Sequence, residues 1–126
     1  MVIHILSDIP LNEIAVRKLE ALPSVKVRQA SPHDAAWDLS DDLLPGPEIM
    51  LCKLPPRNID KLDRLRMIHL SSVGYEHLRH FCFGDRQVRV CNARGIFDTA
   101  IAEWNLAMMI NLIRDLPAML RNQEKS

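Results

Sequence analysis

Met67-Ile68-His69-Leu70-Ser71-Ser72-Val73-Gly74-Tyr75 is the stretch on which the reading of this chain turns. Its first four residues make a short apolar run suited to a buried strand. The Ser-Ser-Val-Gly that follows breaks the run, and a short helix is predicted at once, over 75–81. Parallel strands can be joined only by a crossover, so a strand passing through a tight turn into a helix marks a parallel α/β sheet.

Similar units lie on both sides. Short apolar runs predict strands over 2–6, 48–52 and 88–91, and alternation predicts one over 25–29. Between the first two, Leu11, Ile14, Ala15, Leu19 and Leu22 recur at helical spacing until Pro23. Residues 31–47 are rich in Pro and Asp and read as loop, with a helical turn at 35–39. A short helix capped by Asn58 is expected over 58–65. A long helix, capped by Asp98 or Thr99, should run from 99 to 116, where Pro117 kinks or ends it. The whole predicts a flavodoxin-like, doubly wound parallel sheet of about five strands, with right-handed crossovers and helices on both faces. The expected organisation is a substrate-binding domain over 1–98 and an interdomain or dimerisation helix over 99–126.

Composition narrows the function. The chain has 126 residues, 48% of them hydrophobic and 25% charged, enough for one core without staples. Sixteen basic residues balance sixteen acidic ones, which argues against a nucleic-acid or membrane-surface binder. The helix at 99–116 is interrupted by Glu103, Asn105, Asn111, Arg114 and Asp115, so it reads as a buried helix and not as a membrane span. Three cysteines without a C-x-x-C pair, and no N-terminal signal pattern, fit a reducing, cytoplasmic setting. None of the five histidines has metal-ligand spacing, so no metal is expected. Ser71 or Ser72 with His77 and Asp85 could be drawn as a hydrolase triad, but the G-x-S-x-G elbow is missing. Cys52 and Cys91 read as small core residues.

In an open parallel sheet, ligands bind outside the carboxyl ends of the strands. That rule selects the turns at 7–10, 53–56, 71–75 and 92–97. At 71–75, amides at a strand-to-helix turn suit an anion, and Gly74 lets a ligand approach the backbone. The plainer reading is that Gly74 only serves a tight turn.

Residues 68–78, Ile-His-Leu-Ser-Ser-Val-Gly-Tyr-Glu-His-Leu, resemble the S-V-G-x-D-H-L segment of D-2-hydroxyacid dehydrogenases. Val88-Arg89-Val90-Cys91-Asn92 is similar to that family's strand ending in Asn. Thr99-Ala100-Ile101-Ala102-Glu103, then Leu106-Ala107-Met108-Met109 and Arg114, resembles its A-E-x-x-x-x-L-M-L helix closed by Arg. Glu76 stands where Asp is usual and Trp104 where His is common. The resemblance implies an oxidoreductase that interconverts 2-oxo acids and D-2-hydroxy acids with NAD or NADP. It assigns the substrate carboxylate to the backbone amides of Val73 and Gly74. Lys53 and Leu54 would line the same cleft, Ser72 and Tyr75 would be wall residues, and Asn92 and Thr99 would face the nicotinamide. The family's catalytic Arg and its His–Glu pair have no counterpart here, and no G-x-G-x-x-G occurs among the four glycines. The expectation is therefore a chain truncated before its nucleotide domain, without cofactor or turnover of its own, and a homodimer through helix 99–116. The alternative is a noncatalytic module that dimerises or binds a small carboxylate.

Overall fold

The computed structural model describes residues 2–125, which form two compact units, Met1–Ala93 and Arg94–Ser126. The first is an all-parallel five-stranded sheet: β1 (Ile3–Ser7), β2 (Val25–Gln29), β3 (Ile49–Cys52), β4 (Met67–Leu70) and β5 (Arg89–Cys91), in the order β2-β1-β3-β4-β5. This is the flavodoxin-like order, with its switch point between β1 and β3. The predicted α/β class and strand count are thus observed.

Register explains where the core lies. Leu6, Met50 and Ile68 are direct neighbours across three strands, and Cys52 pairs with Leu70 two residues on. All five are buried on one face of the sheet, against Trp37, Leu39, Ile59, Leu62 and Leu65. The alternate residues Ile49, Leu51 and Met67 point to the other face and are only half-buried.

The crossovers are thinner than the periodicity predicted. Only β1 and β2 are joined by an α-helix, α1 (Glu13–Glu20), whose first turn is closed by Asn12 Oδ1 accepting the Ala15 amide at 2.8 Å. Ile14 and Leu22, counted in its apolar stripe, are exposed, and Ala15, Val16 and Leu19 are half-buried. The helix expected over 58–65 contracts to a 3₁₀ turn, Ile59–Lys61, and that over 75–81 to Glu76–Leu78. Asn58 stands at the N-cap position, but its side chain makes no capping bond. Its side-chain amide instead bonds both backbone groups of Leu39, accepting at 2.8 Å and donating at 2.9 Å. Residues 31–40 contain no helical turn. That segment is nevertheless structural, because Trp37 and Leu39 sink into the core and Trp37 Nε1 donates to the Leu54 carbonyl at 2.9 Å.

The second unit holds α2 (Asp98–Arg114) and α3 (Leu116–Gln123). Neither Asp98 nor Thr99 caps α2; the N-cap is Phe97, with no side-chain bond. The break comes at Asp115, which adopts a left-handed conformation (φ 47°, ψ 49°) and caps α3 through its carboxylate, while Pro117 sits in the first turn of α3. One continuous helix to residue 116 is therefore replaced by two. Although α2 is apolar nearly all round, none of its residues is buried. Among the described residues, no helix is long and apolar enough to cross a membrane.

Candidate functional site at the carboxyl ends of the strands

Four strand ends converge on one edge of the sheet: Asp8 after β1, Lys53 and Leu54 after β3, residues 71–74 after β4, and Asn92 after β5. The β4 turn is tied down by the segment that follows β5. Asn92 Nδ2 donates to the Val73 carbonyl at 2.7 Å, and the Ala93 amide donates to the Ser72 carbonyl at 3.0 Å. Within the turn, Ser72 Oγ donates to the Gly74 carbonyl at 2.9 Å. Val73 and Tyr75 are exposed, so the turn presents an open backbone edge with a braced shape.

Gly74 does not take a left-handed conformation; positive φ belongs to Gly46, Gly84 and Gly95. The turn itself therefore places no demand on glycine there. What a Cβ at 74 would meet is the carboxylate of Glu76, the far end of an exposed, flexible side chain. An acidic group thus stands beside the predicted anion seat and opposes any carboxylate bound there until it swings aside.

Tyr75 and Asn92 come together with Leu78, Arg79, Val90 and Cys91 around a cavity of about 480 Å³. Asn92 is therefore both a brace of the turn and a cavity wall. Lys53 and Leu54 line no part of that cavity. Lys53 Nζ pairs with Asp34 at 2.6 Å, and both side chains are largely exposed. The pair holds the Asp34 carboxyl below its usual value and raises the Lys53 ammonium. Such an exposed pair is weak and can yield to a competing anion. Leu54 contributes its carbonyl to Trp37 and is half-buried. Thr99 belongs to the second unit, exposed in the first turn of α2.

Sequence reasoning did not single out Asp8. It is 2% exposed at the switch point, and its Oδ1 accepts the Lys53 amide at 3.2 Å while Oδ2 has no hydrogen-bond partner. Burial raises its carboxyl above the ordinary value, against the lowering effects of the Lys53 amide and of nearby His33 and Lys53. The available signal was an acidic residue directly after an apolar strand in Ser7-Asp8-Ile9-Pro10, at a turn the ligand rule already selects.

Other candidates fall away as chemistry. The Cys52 thiol is pushed up to about 12, first by burial and then by the charge of Asp8. Cys91, expected in the core, is exposed on the edge strand, and all three cysteines are free thiols. His33 is half-buried and stacks on Trp37 with ring centroids 4.2 Å apart. Among the described residues, no group of three or more His, Cys, Asp or Glu could hold a metal ion.

The β1-to-α1 turn is not a ready pyrophosphate cradle. Where a pyrophosphate would need free amides, it carries the buried Asp8 carboxyl, and Asn12 already takes an amide of the first helical turn. No family model matches the chain, and no curated protein or solved structure matches it.

Proposed function

We propose that the sheet unit is the substrate-binding lobe of an NAD- or NADP-dependent D-2-hydroxyacid dehydrogenase, and that Val73 and Gly74 seat the carboxylate of a 2-oxo or 2-hydroxy acid. The observation that carries this reading is the braced, exposed backbone turn at the carboxyl end of β4, in a parallel sheet of order β2-β1-β3-β4-β5. The resemblance of residues 68–78 to the family's S-V-G segment supplies the chemistry.

In this reading the Val73 and Gly74 amides donate to the carboxylate, and Asn92 fixes the turn through the Val73 carbonyl. Lys53 adds charge from the neighbouring strand end once it leaves Asp34, while Ser72 and Tyr75 shape the wall. Hydride transfer belongs to the nicotinamide, which residues 2–125 are not expected to bind; Asn92 and Thr99 would face it in the working enzyme. Titration of the chain with pyruvate and glyoxylate, followed by amide chemical shifts, tests the seat. Shifts centred on Val73 and Gly74 support it, and a titration that leaves those amides unmoved removes it. Calorimetry with NADH tests the cofactor assignment: micromolar, stoichiometric binding would overturn it.

A second reading is a noncatalytic, dimerising module. It is favoured by α2, whose Ile101, Trp104, Leu106, Met109 and Leu112 are all more than half exposed. Soluble monomers rarely leave such a surface uncovered, and a two-fold pair of helices would cover it.

A further inference from the structure

We propose that the opposite edge of the sheet, at the amino ends of its strands, carries a second site, for a small organic anion with an apolar body. Ile49, Met67 and Arg89 stand in one row of register across β3, β4 and β5, on the half-buried face. Together with Ile3 and the flanking Glu48, Arg66 and Gln87 they enclose about 460 Å³. That is within the ~300–1,000 Å³ usual for small-molecule sites.

The charge in this cavity is unbalanced. Glu48 is buried, but its carboxylate is taken by Arg64 and by the His4 amide, at 3.3 Å for the latter. Arg17, Arg28, Lys53, Arg57 and Arg64 each pair with a carboxylate, and Arg86 bonds carbonyl oxygens. Arg66 and Arg89, like Arg79, Arg114 and Arg121, make no ion pair among the described residues. The backbones of Arg66 and Arg89 are joined directly, the Arg89 amide donating to the Arg66 carbonyl at 2.9 Å. Two arginines therefore line one cavity with no carboxylate of their own.

Guanidinium groups bind carboxylate, phosphate or sulfonate as paired donors, and Gln87 adds a neutral amide. The floor of Ile3, Ile49 and Met67 offers no hydrogen bond from its side chains and suits an aryl or short alkyl group. The cavity thus matches an amphiphilic anion better than an inorganic ion. A strand rises ~3.3 Å per residue, so the length of β4 separates this site from the carboxyl-end turn.

Phenyl phosphate is the probe, with inorganic phosphate and phenol as its two halves, titrated into the isotope-labelled full chain. Phenyl phosphate should shift the amides of Met67, Gln87 and Arg89 and bind at least tenfold tighter than either half. Arg66→Ala with Arg89→Ala should weaken it at least tenfold, and Arg57→Ala should leave it unchanged; circular dichroism of each variant checks the fold. Arg66→Lys with Arg89→Lys keeps the charge but loses the paired donors, and should fall between. The proposal is overturned by equal binding of inorganic phosphate, by shifts confined to Val73 and Gly74, or by unchanged affinity in the folded double-alanine variant.

Discussion

Asp8 puts the free-energy cost of a buried carboxylate at the carboxyl end of β1. Its carboxyl is raised in the folded chain, so the folded state holds the proton more tightly than the unfolded state does. The contribution is therefore most favourable below the unfolded value of about 4 and is lost as pH rises through the folded value. Thermal melts of the protein should show stability falling over that window, and Asp8→Asn should flatten the slope and narrow the gap between pH 4 and pH 7. An unaltered slope would mean that Asp8 is charged and compensated. Glu76 gives a second test at this scale. Removing its charge with Glu76→Gln should strengthen carboxylate binding at the Val73 and Gly74 amides by a few-fold, whereas Gly74→Val should weaken it severely by blocking approach to the backbone. Thiol alkylation gives a third: Cys82 and Cys91 should react in the native protein, and Cys52 only on unfolding.

Elements show which parts of the fold were legible. Strands β1, β3 and β4 announced themselves as apolar runs, since a strand buried in a parallel sheet is apolar whatever its partners, whereas the exposed β2 showed only as an alternation. The β4 turn was legible too, because a ligand rule and a short motif met there. Crossovers were not, because residues such as Asn58 and Trp37 act through distant partners: Asn58 imitates a strand neighbour for Leu39, and Trp37 reaches the Leu54 carbonyl. No local period encodes such contacts. Asp8 was missed for a related reason, since its burial depends on β3 arriving beside β1. The junction of α2 and α3 invites its own experiment. Asp115 combines a left-handed backbone with a cap on Ala118, so Asp115→Ala loses the cap and keeps the strain. A loss of ~1–2 kcal/mol of helix stability is expected, read as reduced helicity at 222 nm on heating. Asp115→Gly, which relieves the strain, should cost less.

At the scale of the molecule, the buried core lies wholly within Met1–Ala93, and the large exposed apolar side chains concentrate in Arg94–Ser126. Self-association should therefore depend on α2. Light scattering at tens of micromolar should report a dimer, and Met109→Glu should shift it toward monomer or aggregate more than Glu103→Gln does. A clean monomer for the unaltered chain would leave the exposed face of α2 without that role.

The two tryptophans divide between the same units, and this gives the chain an optical signature for each. Trp37 is buried against His33, whereas Trp104 is 62% exposed on α2. Emission from Trp37 should lie to the blue, while Trp104 should emit near the wavelength of free indole and respond readily to iodide. Replacing Trp104 with Phe would leave a spectroscopic reporter for the sheet alone, and replacing Trp37 with Phe one for the helices. Melting or titration of each unit could then be followed by its own colour within a single unlabelled chain.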